Sequence, residues 1–192
     1  MSTKLKPHHQ ATADSVACTP DKEGKYVCII TLKNLNITWG NDPRYWYLPK
    51  DSQRVVNGAA ELKQTSWLEV TGKVRFTTKD VGYRISFKVS LTANSFGWSE
   101  APVFLMVKFG RKGQTIWKRI KSLARHHKNK LPSSPTDPFD IPDPIIDHGP
   151  FEISKDQISS IRYDELYFGL YEVWSGKWKG GLQIHEVRFQ QL

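Results

Sequence analysis

Two cysteines, Cys18 and Cys28, are all that 192 residues contain, too few for a disulfide framework or a cysteine-rich metal site. Cys28 lies in the apolar run 26–30 and reads as a small buried hydrophobe. Cys18 lies in a polar stretch, where a reactive or intermolecular thiol is the alternative. No apolar run approaches the ~18–20 residues of a spanning helix, so no membrane insertion is expected. Residues 1–10 carry Lys4, Lys6, His8 and His9 with no apolar segment behind them. That is not the pattern of a secretory signal, and a cytoplasmic location with reduced thiols is expected. Catalytic motifs are missing as well. The histidines (His8, His9, His126, His127, His148 and His185) form no H-x-x-x-H, and there is no C-x-x-C, G-x-S-x-G or P-loop. No catalysis, metal or cofactor is therefore expected. His126-His127 reads as part of a solvated charge run, and His185 as a strand histidine. Helical periodicity is scarce: 59–64 reads as a short helix, and Ile116, Ile120, Leu123 and Ala124 fit a helical face that competes with a strand over 115–120. The strand is preferred, running out near Ile120 into a basic loop.

What is present is a set of short strands. Residues 83–91 alternate Tyr83, Ile85, Phe87, Val89 and Leu91 with Arg84, Ser86, Lys88 and Ser90, the period of a sheet with one wet face. Residues 26–39, 66–76, 103–109, 162–174 and 182–189 are further strand candidates. In the last, Leu182 and Ile184 share one parity while Val187 and Phe189 have the other, which predicts a β-bulge or burial of both faces. Gly110-Arg111-Lys112-Gly113 reads as a hairpin turn. Residues 1–25 read as a flexible arm. Residues 131–150, with six of the eleven prolines and four aspartates, read as an extended loop. The pattern predicts an all-β antiparallel sandwich over residues 26–192.

The net charge of +9 is local, because eight Lys and Arg and no acid fall within residues 111–130. The acidic stretch that follows is placed to fold back on this run. Aromatics are plentiful: seven Trp, seven Tyr and nine Phe. Trp39-Gly40-Asn41-Asp42-Pro43-Arg44-Tyr45-Trp46-Tyr47 sets four of them around a turn. Sugars present apolar C–H faces together with hydroxyls, so an aromatic platform flanked by Asn and Arg suits them. Trp39 and Trp46 are equally readable as plugs at the end of the sandwich.

Four blocks, in order, resemble the Nictaba-related, phloem-protein-two lectins of plants. They are Ile37-Thr38-Trp39…Pro43-Arg44-Tyr45-Trp46; Ala60-Glu61-Leu62 with Trp67-Leu68-Glu69-Val70-Thr71-Gly72-Lys73-Val74; Glu172 with Trp178-Lys179-Gly180-Gly181-Leu182; and Glu186-Val187-Arg188. The resemblance implies a jelly-roll-like β-sandwich that binds N-acetylglucosamine oligomers or the N-glycan core without catalysis, in phloem cytoplasm; the 111–130 basic run also reads as a nuclear-import signal, which would add the nucleus. It puts the family's tryptophan pair on Trp39 and Trp46 and its two glutamates on Glu165 and Glu172.

Seven residues separate Glu165 from Glu172, and in one uninterrupted strand an odd spacing points them to opposite faces. Glu172 is therefore preferred, with Trp178 and Lys179 completing a site; Asn41, Arg44 and Tyr45 flank the tryptophans. Trp67, mid-strand in the second block, reads as core. The family's R-x-D-G-W-x-E-I segment departs here to Asp147-His148-Gly149-Pro150-Phe151-Glu152-Ile153, with Pro150 in place of the tryptophan and Phe151 available to replace its packing. An RNA-binding, phloem-mobile role through the 111–130 cations is the alternative function. A structural phloem protein assembling as a homodimer, with Cys18 as cross-link, is a third.

Overall fold

The computed structural model describes residues 6–12, 16–49, 58–76, 78, 80–129, 137–159 and 165–192. In chain order its elements are β1 (Val16–Ala17), β2 (Thr19–Pro20), β3 (Tyr26–Ile30), β4 (Asn36–Ile37), β5 (Trp46–Tyr47), β6 (Ala60–Leu62), β7 (Leu68–Arg75), β8 (Tyr83–Phe96), β9 (Val103–Phe109), β10 (Thr115–Ile120), α1 (Leu123–Asn129), β11 (Phe139–Ile141), β12 (Phe151–Ile153), α2 (Lys155–Ser159), β13 (Glu165–Glu172) and β14 (Gly180–Gln191). They form two sheets that pack as a sandwich. The first runs β1-β7-β13-β9-β10, with β4 also on β7; the second runs β11-β8-β14-β3-β2, with β12 on β8 and the β5–β6 pair on β14. All pairs are antiparallel except β1 with β7.

Alternation puts Leu68, Val70 and Val74 of β7 and Leu166, Phe168 and Leu170 of β13 inside, facing Tyr83, Ile85, Phe87 and Val89 of β8. Phe168 bridges the layers, edge-on to Phe87 at 6.0 Å and to Phe189 at 5.4 Å. Its ring needs the bare backbone at Gly72, where a Cβ would stand 2.4 Å from it.

The parity change in the last strand is a bulge. The partner of Ile184 is Val89 and that of Glu186 is Lys88, so His185 is the extra residue. One inserted residue returns Val187 and Phe189 to the face already used by Leu182 and Ile184, and all four are buried. The hairpin at Gly110 forms as expected, Gly110 with φ 68° and Thr115 opposite Lys108.

Several expectations are corrected. Residues 59–64 contain strand β6, because the free edge of β14 takes up Leu62 opposite Leu182; pairing overrides a local preference. The basic segment after Ile120 enters helix α1, and residues 139–141 of the Pro-rich stretch form β11. The segment before Tyr26 is not free where described: His9 exchanges two backbone hydrogen bonds with Ile37, and β1 and β2 pair with β7 and β3. The cysteines are joined in an intrachain disulfide. The β2–β3 register, Thr19 opposite Val27, extends to bring Cys18 opposite Cys28 with Cα atoms 4.3 Å apart. Cys18 is therefore neither a loose thiol nor a cross-link between subunits.

Candidate functional site

The turn that carries the first block is built by its own polar side chains. Asp42 accepts the Arg44 N–H and pairs with the Arg44 guanidinium at 2.7 Å, while its carbonyl accepts from Tyr45 and Trp46. The exposed Arg44 lies over the Tyr45 ring, which backs Trp39 at 6.0 Å. Trp39 is 37% exposed and sits at φ 61°, a left-handed conformation that costs a non-glycine residue about 1 kcal/mol or more. It is held there by the His8 Nδ1 that accepts its N–H at 3.0 Å and by ring contact with His8 at 4.9 Å. Asn41 donates to the carbonyls of Lys6 and His8, stapling the N-terminal segment to the turn. Gly40 permits the approach, since a Cβ there would meet the His9 Cβ at 2.6 Å.

Trp46 turns the other way. It is 2% exposed in β5, opposite Leu62, and belongs to the core. It is a plug, not a platform, because Tyr47 takes the solvent side of that short strand.

The glutamate expectation divides. Strand β13 runs without a bulge from Glu165 to Glu172, so the two do face opposite ways. The inward one is Glu172, which is 1% exposed and ion-paired with Lys179, itself fully buried. Neither Glu172 nor Lys179 can touch a ligand on the surface. Their work is structural. Glu172 accepts the Ser175 N–H, Lys179 Nζ donates to the Ser66 carbonyl, and the Lys179 and Thr65 backbones exchange two bonds. The pair thus fixes the loop bearing Trp174 against the one bearing Trp67. Glu165 is outward but lies at the far end, among Lys73 and Arg75 at 3.8 and 3.6 Å. Trp178 is exposed and lines neither of the two grooves described next.

An open groove of about 550 Å³ lies along the outer face of the first sheet, walled by His8 to Gln10, Asn36 to Trp39, Trp67, Glu69 and Thr71. Trp67, expected in the core, is 47% exposed. Its indole N–H donates to Glu69 Oε2 at 2.9 Å, and the Thr38 hydroxyl donates to the same oxygen at 3.3 Å. Glu69 Oε1 makes no hydrogen bond among the described residues. The signal for Trp67 was legible: it shares the parity of Glu69, Thr71 and Lys73, the wet positions of β7, while Leu68, Val70 and Val74 are the dry ones. A second groove of about 340 Å³ adjoins the first, sharing Trp67 and Glu69 and adding Trp117, Tyr171 and Trp174.

Among the described residues the cations of 111–125 do not gather on one face; the Lys128 and Lys130 side chains lie outside the described residues. Lys118 and Arg119 alternate sides of β10, and Lys118 Nζ reaches the Asp147 carbonyl. Among the described cations of this run, Arg119, Lys121 and Arg125 share a hollow of about 200 Å³, with Glu100 beside them. The acidic segment does fold back: Asp147 accepts the Lys121 N–H at 2.9 Å and lies 2.7 Å from His126 Nε2. His126 is buried against Phe139, not solvated. In the departing segment Phe151 packs into the core, and neither it nor Pro150 lines the two grooves. Among the described residues no group of three or more His, Cys, Asp or Glu is placed to hold a metal, and no helix is long and apolar enough to cross a membrane.

The β-sandwich carries an aromatic, carboxylate-bearing groove on the outside of one sheet. The family model described as Phloem protein 2 matches residues 25–191, and the chain belongs to that family. It is 39% identical over 192 residues, all of both chains, to phloem protein 2-like A9 of Arabidopsis thaliana. With phloem protein 2-like A1 of the same plant it shares 28% identity over 87% of this chain and 62% of that one. An F-box protein of that plant matches at 28% over 87% of this chain but only 52% of its own length.

Proposed function

We propose that this protein is a lectin that binds N-acetylglucosamine oligomers, or the N-acetylglucosamine-containing core of N-linked glycans, in the groove between Trp39 and Trp67. The observation that carries the reading is Glu69. Its carboxylate is oriented by Trp67 and Thr38 through Oε2, its Oε1 makes no hydrogen bond among the described residues, and it lines the groove together with two exposed indoles. A pyranose ring offers the complement, a C–H face for an indole and hydroxyls that donate to a carboxylate. Preorganisation favours affinity, because the groups that meet the sugar are already ordered by the protein. The family assignment supports a lectin-type role. The protein acts by binding and no reaction is assigned to it.

The test is calorimetry with chito-oligosaccharides on the wild type, Trp67→Ala and Glu69→Gln. Each substitution is expected to weaken binding about tenfold or more, ~1.4 kcal/mol, with the thermal melt preserved because both side chains lie outside the core. Wild-type affinity retained in both variants would remove the site. A salt titration separates this from RNA binding, which would collapse between low and physiological salt while sugar binding barely changed.

A further inference from the structure

Apart from Trp67 and Glu69, the residues of the second groove have no part in the binding proposed for the first, and their composition calls for an occupant. Trp67, Trp117 and Trp174 are 47%, 47% and 60% exposed, and all line it. Large apolar side chains grouped on one face are a cost in water unless something covers them. These rings are also locked in place. Trp117 stands edge-to-face against Tyr171 at 5.4 Å and against Trp174 at 5.8 Å, and Phe104 supports Trp174 at 5.0 Å. Tyr171 lies across the bare backbone of Gly169, where a Cβ would be 2.4 Å from its ring. Burial pushes the Tyr171 phenol up to about 12; like any tyrosine it is a hydrogen-bond donor at neutral pH. A rigid aromatic surface is what a binding site needs and what a merely tolerated exposed patch lacks.

The lining chemistry selects the occupant. Polar groups alternate with the rings: Glu69 from β7, Lys108 from β9 and Thr115 from β10. The rings meet at 64° and 77°, so they form a stepped surface, not one flat apolar sheet. A β-linked oligosaccharide fits both features, since successive sugar rings present alternating faces and each carries hydroxyls. The two grooves are one continuous track, because Trp67 and Glu69 line both. The track crosses β4, β7, β13, β9 and β10, four strand spacings, or about 19 Å at ~4.8 Å each.

We propose that the Trp117–Tyr171–Trp174 groove is a second sugar subsite continuous with the Trp39–Trp67 groove, so that the outer face of the first sheet holds an extended oligosaccharide with Trp67 and Glu69 at its centre. The proposal rests on the lectin reading of the first groove. It makes affinity depend on chain length. Calorimetry with the chito-oligosaccharide series from disaccharide to hexasaccharide tests it, on the wild type, Trp117→Ala and Trp117→Phe. Wild-type affinity should climb at least tenfold along the series. Trp117→Ala should abolish most of that climb, and Trp117→Phe, which keeps a ring, should restore part of it. A flat series in the wild type, or the same climb in Trp117→Ala, overturns the second subsite while leaving the first intact. If no oligosaccharide of any length binds the wild type, the lectin reading itself fails. Sedimentation of the same three proteins covers the remaining occupant. A wild-type dimer that Trp117→Ala dissociates would make the face a contact between copies of the chain and overturn the subsite.

Discussion

The tryptophans of the family blocks have different fates here, and for Trp46 and Trp67 strand parity decides which. Trp46 is enclosed between β5 and β6; Trp67 stands outside beside Glu69. Trp46→Ala should therefore cost about 3–5 kcal/mol of stability, the range for emptying a large buried aromatic site, read as a lower urea midpoint. Loss of sugar binding with an unchanged melt in that variant would put Trp46 back in the site. Glu172 calls for the same distinction. Removing it leaves the Lys179 ammonium buried without its counter-charge, which costs about 3–5 kcal/mol. Glu172→Ala is expected to melt early and to bind weakly, because the loops of Trp67 and Trp174 lose their tie. Binding lost with full stability would instead make Glu172 a ligand contact. Parity argued correctly that Glu165 and Glu172 part company; it could not say which side was inside, because a carboxylate on the dry face is admissible only when a cation 7 residues further on, Lys179, folds back to meet it.

At the scale of elements, the link between α1 and the segment after β11 rests on one carboxylate. Asp147 receives the N–H groups of Lys121 and Asp143 and lies against His126. Burial raises its pKa, but the hydrogen bonds from His126 and the two amides outweigh burial and hold it below the ordinary 3.8. Its folded pKa is depressed, so its contribution to stability is present above about pH 4 and disappears as the pH falls through the folded value. Asp147→Ala should destabilise the protein by about 3 kcal/mol at neutral pH and speed amide exchange at Lys121 and Asp143. Unchanged exchange at those two amides would show that the carboxylate is not the clamp. The proximity of acidic and basic stretches was readable from composition, but the helix at 123–129 was not. Its inward residues Leu123 and His126 are only three apart, and a helical face of that length cannot be told from a strand end followed by a loop.

For the whole molecule, acid sensitivity arises at two half-buried histidines. His9, on the wall of the first groove, and His185, at the bulge of β14, are both held below the ordinary 6.5, chiefly by burial, with Lys88 adding to the effect at His185. Unfolding exposes imidazoles that take up protons the folded state refuses, so stability falls as the pH drops below about 6.5. Melting temperatures followed from pH 8 to pH 5 should decline over that interval, and less steeply in His185→Gln. A melt that rose on acidification would contradict the burial of both rings.

Alternation of apolar residues was sufficient for an all-β sandwich, and Gly110 and Gly113 for the hairpin, because each is a local pattern; the parity change left a bulge or two-faced burial open until the register fixed a bulge at His185. What folding alone decided is which residues share a surface. The groove joins residues 8–10, 36–39 and 67–71, and the adjoining one adds residues from β9, β10 and the end of β13. No periodicity within a segment encodes which strands lie side by side. The order β4-β7-β13-β9-β10 arises from burying every inner face at once, and that global requirement gathers Trp39, Trp67, Trp117 and Trp174 along one track.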